Sequence, residues 1–413
     1  MFINSARISP LGASLISIRR NLKVMKSNPM KRILSGPSVF FSAAHDAFRL
    51  QVSEFVSNLI TPEIAQQIDK EDVFPVELMK KIGDAGLIGT TFPQQYGGLG
   101  LDTLSWVIVM EEVARHSGSM GINMNIQGCV ATKPFMFGTK EQKSKFLVTT
   151  LKGNLTGAFA LTEPNSGSDA LNMDTTAQIA GDSFILNGTK TFISQGAVAD
   201  FVIVFAKTIV EGKKKISAFI VEKDMPGFSA KQEPMMGNKG TITSQITFDN
   251  VKLPADHIIG EVGDGIKIIL DVLFDGRITV SGISVGIIRA CYEESLRYLG
   301  ENYSSDIPLH ENQQISPALI NMAADYKSAL FHTIEAALRK DMGLPIHDEA
   351  SFAKLVSTES AVRAASTAIN IQGLRGCSME SPAQRLLRDA KVLTIVEGTS
   401  ELLIKNLAKN SLK

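Results

Sequence analysis

Cysteine is scarce in this chain, and its spacing argues against two ways of stabilising a fold. The 413 residues include three cysteines, Cys129, Cys291 and Cys377, and no two of them form a CxxC pair. Disulfide frameworks and structural zinc sites both need paired or closely grouped cysteines. The chain must therefore rely on an apolar core, which its 44% hydrophobic content is ample to form. The cysteine pattern also indicates a reducing compartment.

Two further absences concern net charge and long apolar runs. Lys plus Arg equals Asp plus Glu at 42 each, so no overall field attracts the protein to nucleic acid or to an anionic membrane. No apolar run reaches the roughly 18 residues of a membrane-spanning helix, because charges such as Asp200 and Lys267 interrupt the longest ones. A small-molecule partner is the expectation that remains.

The first 45 residues lack acidic side chains altogether. Among many Ser, Leu and Ile residues they carry only basic charges: Arg7, Arg19, Arg20, Lys23, Lys26, Lys31 and Arg32. A basic, acid-free segment is typical of an organellar transit peptide, which predicts a mitochondrial matrix location, with the cytoplasm as the alternative. A disordered tail or a misassigned start codon would give the same composition. Mature structure is expected to begin near Asp46.

Hydrophobic periodicity divides the rest of the chain into three parts. Residues 46–155 repeat at helical spacing, residues 156–261 contain β-prone runs, and residues 262–413 return to the helical period. Asn187-Gly188 lies between two β-prone runs in "SFILNGTKTFIS", a pattern that predicts a hairpin turn. The predicted fold class is mainly α, with a β domain between two helical domains.

Two segments suggest chemistry. "IVEGTSELL" places one carboxylate, Glu397, between apolar neighbours and a Gly-Thr-Ser run, which suits either a helix-start acid or a base. "AFALTEPNSGSDA", residues 158–170, offers the hydroxyls of Thr162, Ser166 and Ser168 beside Gly167, as a loop that binds a ring system or a phosphate would. Taken alone, the second segment is also an ordinary turn.

Four motifs in one order resemble the acyl-CoA dehydrogenases, flavoenzymes that desaturate acyl thioesters. "PQQYGGLGLD" is similar to that family's first-domain loop, "ALTEPNSGSDA" to its flavin and substrate loop, "NGTKTFIS" to the strands flanking the flavin, and "LLRDAKVLTIVEGTSELL" to its last helical segment. The resemblance runs from about residue 46 to the end. It implies a helical N-terminal domain, a central β-barrel-like domain, a C-terminal four-helix bundle, bound FAD, and a homotetramer or dimer.

The resemblance also implies roles for individual residues. Glu397 corresponds to the catalytic base. The implied cofactor contacts are Phe159, Leu161, Thr162, Ser168, Phe192, Ser194, Asn370, Gln372, Gly373 and Thr399, and the implied substrate contacts are Ser168, Arg277 and Gly398. Phe192 stands where many members have Trp, and Ser194 where many have Thr; an aromatic face and a hydroxyl are retained at the two positions.

Removing a proton alpha to a thioester carbonyl requires a base in a water-poor site that raises its proton affinity. Ile395 and Val396, next to Glu397 in the chain, are consistent with such a setting. Some members place the base one residue before the arginine that corresponds to Arg277, but that position here is Gly276, which has no acid. In the family mechanism the base takes the alpha proton while a beta hydride passes to the flavin. The product is a trans-2-enoyl thioester.

Two segments depart from the family pattern. "NYSSDIPL", residues 302–309, lacks the arginine and phenylalanine that usually hold the adenine half of FAD from a neighbouring subunit. "NIQGLRG" has Asn370 where the family has Gln and Leu374 where it has Gly, so that Asn370 or Gln372 must serve the pyrophosphate. These changes predict weaker or rearranged binding of FAD between subunits.

The leading hypothesis is therefore an FAD-dependent dehydrogenase of a short or short branched acyl-CoA that passes electrons to an electron-transfer flavoprotein. The alternatives are a flavin oxidase or monooxygenase of the same fold, and a scaffold without flavin. "GSMGINMNIQGCVATKP", expected to border the acyl pocket, contains no arginine. A buried carboxylate on the acyl chain would need a cation, so glutaryl-type substrates are disfavoured.

Overall fold

The computed structural model describes residues 39–210, 212–303 and 307–412. The proposed transit peptide lies outside these ranges except for its last few residues, and so do Ser304, Ser305 and Asp306 of the "NYSSD" segment. The helices are α1 (Ala43–Leu59), α2 (Pro62–Glu71), α3 (Val76–Asp84), α4 (Thr103–His116), α5 (Gly118–Asn125), α6 (Lys140–Gln142), α7 (Val148–Leu151), α8 (Gly265–Asn302), α9 (Ile315–Asp341), α10 (His347–Gln372), α11 (Pro382–Leu393) and α12 (Ser400–Ser411).

The N-terminal helices start where polar residues cap them. Thr61 caps α2 and accepts from the backbone N–H of Ile64, with Pro62 in the first turn. Asp102 caps α4 by accepting from Ser105 N at 2.8 Å. Helix α4 is buried over almost its whole length because it packs between α1 and the long helix α8. It therefore joins the N-terminal helices to the C-terminal ones.

The middle of the chain forms one sheet. Its strands are β1 (Gly157–Ala160), β2 (Thr176–Ala180), β3 (Ser183–Ile193), β4 (Phe201–Val210), β5 (Lys213–Glu222), β6 (Phe228–Gln232), β7 (Ser244–Pro254) and β8 (Ile258–Ile259). The order is β6-β7-β3-β2-β4-β5-β8, and β1 pairs with β4. Alternate residues of β4 face opposite cores: Phe201, Ile203 and Phe205 join the core shared with the helices, and the residues between them join a second core within the sheet.

The predicted hairpin at Asn187-Gly188 is wrong. Strand β3 continues through both residues, and its pairing with β7 shifts register there as a bulge. Asn187 Oδ1 accepts from the backbone N–H of Asn250 on β7 at 2.8 Å. Gly188 has φ 150°, and a Cβ there would lie 2.7 Å from the Cα of Thr175. Glycine is thus required here by a close backbone approach. A glycine within a strand indicates such an approach as readily as Asn-Gly indicates a turn.

The C-terminal part is helical again, with α8, α9, α10 and α11 packed together and α12 against α10. The expected class, helices then sheet then helices, is confirmed, with one refinement. Over the described residues the sheet is open, with β6 and β8 at its two ends, and does not close into a barrel. Within those residues no helix combines the length and apolarity needed to cross a membrane.

Candidate active site

Glu397 lies in the short loop between α11 and α12. Its backbone has φ 56°, and Gly398 follows with φ 102°. A non-glycine residue in this left-handed region costs free energy and persists only where its surroundings fix it. Thr399 then caps α12 by accepting from Leu402 N at 3.2 Å. Its hydroxyl therefore caps the helix at which the loop ends.

The carboxylate of Glu397 points toward the start of α8. Gly276 faces it so closely that an added Cβ would lie 2.6 Å from the carboxyl carbon. Asn125, at the end of α5, donates from Nδ2 to Oε1 at 3.3 Å. The other oxygen, Oε2, is buried and has no hydrogen-bond partner among the described residues. The missing side chain at position 276 thus makes the space in which this acid sits.

Burial raises the pKa of Glu397 to about 7, against the hydrogen bond from Asn125 and the charges of Arg277 and Lys354, which lower it. Arg277 does not bind the carboxylate directly. Its Nε donates to the backbone carbonyl of Glu397 at 3.2 Å, and its Nη1 donates to Ser351 Oγ at 3.0 Å. The result is a carboxyl group close to half-ionised at neutral pH, as a general base requires.

The wall that the sequence assigned to the flavin lies where β1 and the loop after it meet the end of β3. It contains Phe159, Leu161, Thr162 and Phe192. Thr191 N donates to Thr162 O at 3.0 Å, which ties the loop after β1 to β3. Beneath it, the buried Lys190 donates to Leu161 O at 2.9 Å and to Glu163 at 2.8 Å. These bonds fix the backbone of the wall that the sequence assigned to the flavin.

Phe192 has the features of a ring-binding residue. It is 59% exposed although it follows a buried position of β3, and its φ of 55° turns it out of the strand. Ser194, two residues on, is half-buried. An exposed aromatic held in a costly backbone conformation beside a hydroxyl suits a flat heterocycle with polar edges.

The 158–170 loop supplies fewer free hydroxyls than its sequence suggests. Ser166 Oγ donates to Asp169 O at 2.6 Å and closes a turn. Thr162 is half-buried and Ser168 is exposed, so these two are the hydroxyls placed to meet a ligand. The turn interpretation therefore holds for Ser166.

Asn370, Gln372 and Gly373 are not brought to Glu397. They lie at the end of α10, about 24 Å along the helix from Lys354 at 1.5 Å per residue. Gln372 Nε2 donates to Glu294 at 3.0 Å, and its Oε1 accepts from Ser381 at 2.8 Å. Asn370 is exposed.

Sequence reasoning missed three charged or polar groups near the base. Asn125 and Ser351 carry the contacts described above, and Lys354 is fully buried on α10 beside the loop. The sequence did contain one signal for Lys354, because it is the only lysine in the segment "ASFAKLVSTESA", which is rich in small residues. A fourth feature is Asp275, next to Gly276, which pairs with both Lys133 and Lys340.

Cys129 links the Asp275 cluster to Glu397, because the charges of Lys133, Lys340 and Glu397 all act on its buried thiol. Burial, followed by the charge of Lys340, lowers the pKa of Lys133 to about 7. The segment "GSMGINMNIQGCVATKP" thus contains a partly buried lysine, although it contains no arginine. The described residues contain no cluster of His, Cys, Asp or Glu suited to a metal ion.

Comparison with known proteins identifies the family and the fold. Profiles of the acyl-CoA dehydrogenase N-terminal, middle and C-terminal domains match residues 42–154, 158–251 and 263–412. An acyl-CoA dehydrogenase of Bacillus subtilis is 40% identical over 86% of this chain and 94% of its own length. The mitochondrial short-chain specific acyl-CoA dehydrogenase of Homo sapiens is 38% identical over 88% and 89%. The structure of butyryl-CoA dehydrogenase from Megasphaera elsdenii has a TM-score of 0.85 at 34% identity, covering 90% and 99%.

Proposed function

Because this chain belongs to the acyl-CoA dehydrogenase family, we propose that it oxidises a short or short branched acyl-CoA to the trans-2-enoyl-CoA. Enzymes of this family are FAD-dependent, and we propose an electron-transfer flavoprotein as the acceptor. A homotetramer or dimer would let Asn370 and its neighbours reach a second copy's cofactor. The basic first 45 residues support a mitochondrial matrix location.

One observation carries the proposal: the buried carboxylate of Glu397 fits the space left by Gly276 and has an oxygen without a partner among the described residues. A carboxylate of ordinary pKa is a weak base for a carbon acid, and burial strengthens it. No acid at position 276 competes for the role. Glu397 is thus the group we assign to removal of the alpha proton.

The other residues of the site would bind the flavin and orient the thioester. Phe192 would cover one face of the isoalloxazine ring, and the hydroxyls of Thr162 and Ser194 would bind its polar edge. The chemistry that FAD would supply when bound at these residues is acceptance of the beta hydride. Arg277 fixes the backbone carbonyl of Glu397, and the backbone N–H of Glu397 would polarise the thioester carbonyl as an oxyanion donor. The alpha proton moves to Glu397 Oε2, and the product keeps the new double bond.

The size of the acyl group is inferred from the space and charge near the base. The human relative is a short-chain specific enzyme, and the bacterial structure is that of a butyryl-CoA dehydrogenase. Asp275 neutralises part of the charge of Lys133 and Lys340, so these lysines are already engaged. This favours an uncharged short chain over a chain that ends in a carboxylate.

Anaerobic mixing of the FAD-loaded protein with a series of acyl-CoA esters tests the proposal. Butyryl-CoA and isobutyryl-CoA should bleach the flavin fastest, and mass spectrometry should show a product two hydrogen atoms lighter. A highest kcat/KM for dodecanoyl-CoA would refute the short-chain assignment, and for glutaryl-CoA it would show that the lysines accept a carboxylate. Oxygen uptake that matches turnover would identify an oxidase. A protein that binds no FAD would be a scaffold.

A further inference from the structure

Lys354 is the most unusual polar residue near the base. Its side chain has no exposed surface, and it comes from the second turn of α10. A buried ammonium group is costly unless hydrogen bonds and opposite charge compensate it. Its Nζ donates to the carbonyl of Thr394 at 2.9 Å and to that of Gly398 at 2.8 Å. The two acceptors lie on either side of Glu397 in the chain.

Two cations together hold the loop that carries the base. Lys354 binds the carbonyls before and after Glu397, and Arg277 on α8 binds the carbonyl of Glu397 itself at 3.2 Å. The loop is therefore attached to α8 and α10 at three points, the carbonyls of Thr394, Glu397 and Gly398. This attachment explains how Glu397 remains at φ 56°, a conformation that an unsupported glutamate would leave.

The charge of Lys354 also acts on the carboxylate. The charged or titratable groups acting on Glu397 are Arg277 from α8, Lys354 from α10 and Cys129 from the segment after α5. Lys354 itself is influenced by Glu397, Arg277, Glu359 and Glu401. Burial lowers the pKa of Lys354 to about 8. Its positive charge opposes the effect of burial on Glu397, so it limits how far the proton affinity of the base rises.

We propose that Lys354 is a positioning residue for the proton-abstraction step. It fixes the loop so that the Glu397 carboxylate faces the substrate, and its charge keeps that carboxylate ionisable near neutral pH. The inference rests on the proposed function, since it assigns Lys354 to the same reaction. Lys354 does not touch the reacting atoms.

Lys354→Met tests the proposal because it keeps the length of the side chain and removes the charge and all donors. We expect FAD binding to persist and kcat for butyryl-CoA to fall at least about tenfold even at high pH, since small misplacement of a catalytic group is costly. KM should change little. The pH at which kcat/KM is half-maximal should rise by about one unit, because an opposing charge has been removed.

Two variants make the outcome decisive. Lys354→Arg restores a charged donor and should bring the pH midpoint back toward that of the wild type, which a purely structural role would not require. Lys405→Met removes an exposed lysine of α12 and should change neither quantity. An unchanged pH midpoint and kcat in folded Lys354→Met would overturn the proposal. If Lys354→Met and Lys354→Gln both failed to fold with FAD, Lys354 would be a structural residue and the proposal would be wrong.

A readout without turnover separates this inference from the proposed reaction. Infrared difference spectra between each protein and its Glu397→Gln counterpart report ionisation of the Glu397 carboxyl directly. If no acyl-CoA reduces the flavin of the wild type, the proposed function is wrong, yet Lys354→Met should still raise this titration midpoint. A midpoint that does not move would contradict the role of Lys354 alone.

Discussion

Two glutamates in buried surroundings have opposite acid strengths in this protein. Glu111, on α4, has no exposed surface. It accepts from Arg49 at 2.5 Å, from Tyr326 at 2.9 Å and from Arg289 at 3.1 Å. Burial alone would raise the pKa of Glu111, but the charges of the two arginines outweigh it and lower the pKa to about 2. This glutamate is held permanently ionised between the N-terminal helices and α8.

Glu397 has one side-chain donor, Asn125, among the described residues. The nearby cations, Arg277 and Lys354, bind backbone carbonyls of its loop rather than its carboxylate. Burial therefore prevails, and the pKa rises to about 7. The comparison teaches that the position of the cations, more than burial itself, separates a structural acid from a group that can exchange a proton.

Removing the charge of the structural acid should produce the largest loss of stability. Glu111→Gln leaves Arg49 and Arg289 with less opposite charge in a buried site, which typically costs about 3–5 kcal/mol. Urea unfolding of the FAD-loaded protein measures the loss. The wild type should also lose stability as pH falls from about 4.5 toward about 2, because the folded state lowers this pKa. Glu112 also pairs with Arg49 at 3.3 Å and with Arg289 at 2.8 Å. A change below about 1 kcal/mol would show that Glu112 alone balances the two arginines.

Filling the space beside the base should affect rate instead of stability. Gly276→Ala places a Cβ where the Glu397 carboxylate lies, so the carboxylate must move, and a displacement of about 1 Å can cost about 10²-fold in rate. Stopped-flow reduction with butyryl-CoA measures this. Gly300→Ala is the matched control on the same helix, since an added Cβ there meets nothing within 4 Å. Reduction by Gly276→Ala within threefold of the wild type would contradict the packing argument.

The pH profile sharpens the contrast between the two acids. Because only ionised Glu397 accepts a proton, kcat/KM should rise with pH to half its maximum near pH 7 and fall about tenfold per unit below it. The measurement uses butyryl-CoA across a range in which the protein stays folded. A midpoint near 4.5 would mean that the site does not raise the proton affinity of Glu397.

The smallest expected effect concerns the cofactor. Gln372 is already bonded within the chain, and the adenine-binding arginine and phenylalanine are absent, so FAD should dissociate more readily than in typical members. Added FAD at ten times its Kd should then stabilise the folded protein by about 1.4 kcal/mol, seen as a higher melting temperature. An unchanged melting temperature with flavin fully retained would show that other residues hold it.

Sequence reasoning could assign Glu397 as the base, a role that stays a prediction, because motif order and Gly276 are local signals. The order of helical and β segments followed from periodicity for the same reason. The hairpin at Asn187-Gly188 failed because pairing with β7, which is far away in sequence, decides the conformation there. Asn125 and the Asp275 cluster could not be found in this way, since their importance arises only when distant helices meet in space. Lys354 gave one weak signal, a lysine among small residues, which does not reveal what the side chain contacts.

The identity of the base is tested most directly by mixing Glu397→Gln protein with butyryl-CoA under anaerobic conditions. The substitution keeps the shape of the side chain and removes the proton acceptor, so FAD binding and folding should persist. Glu401→Gln changes an exposed glutamate in the first turn of α12. It is the matched control and should bleach at the wild-type rate. Our account predicts that Glu397→Gln leaves the flavin almost unbleached, with a loss of about 10⁴-fold or more. Reduction within tenfold of the wild-type rate would show that Glu397 is not the base.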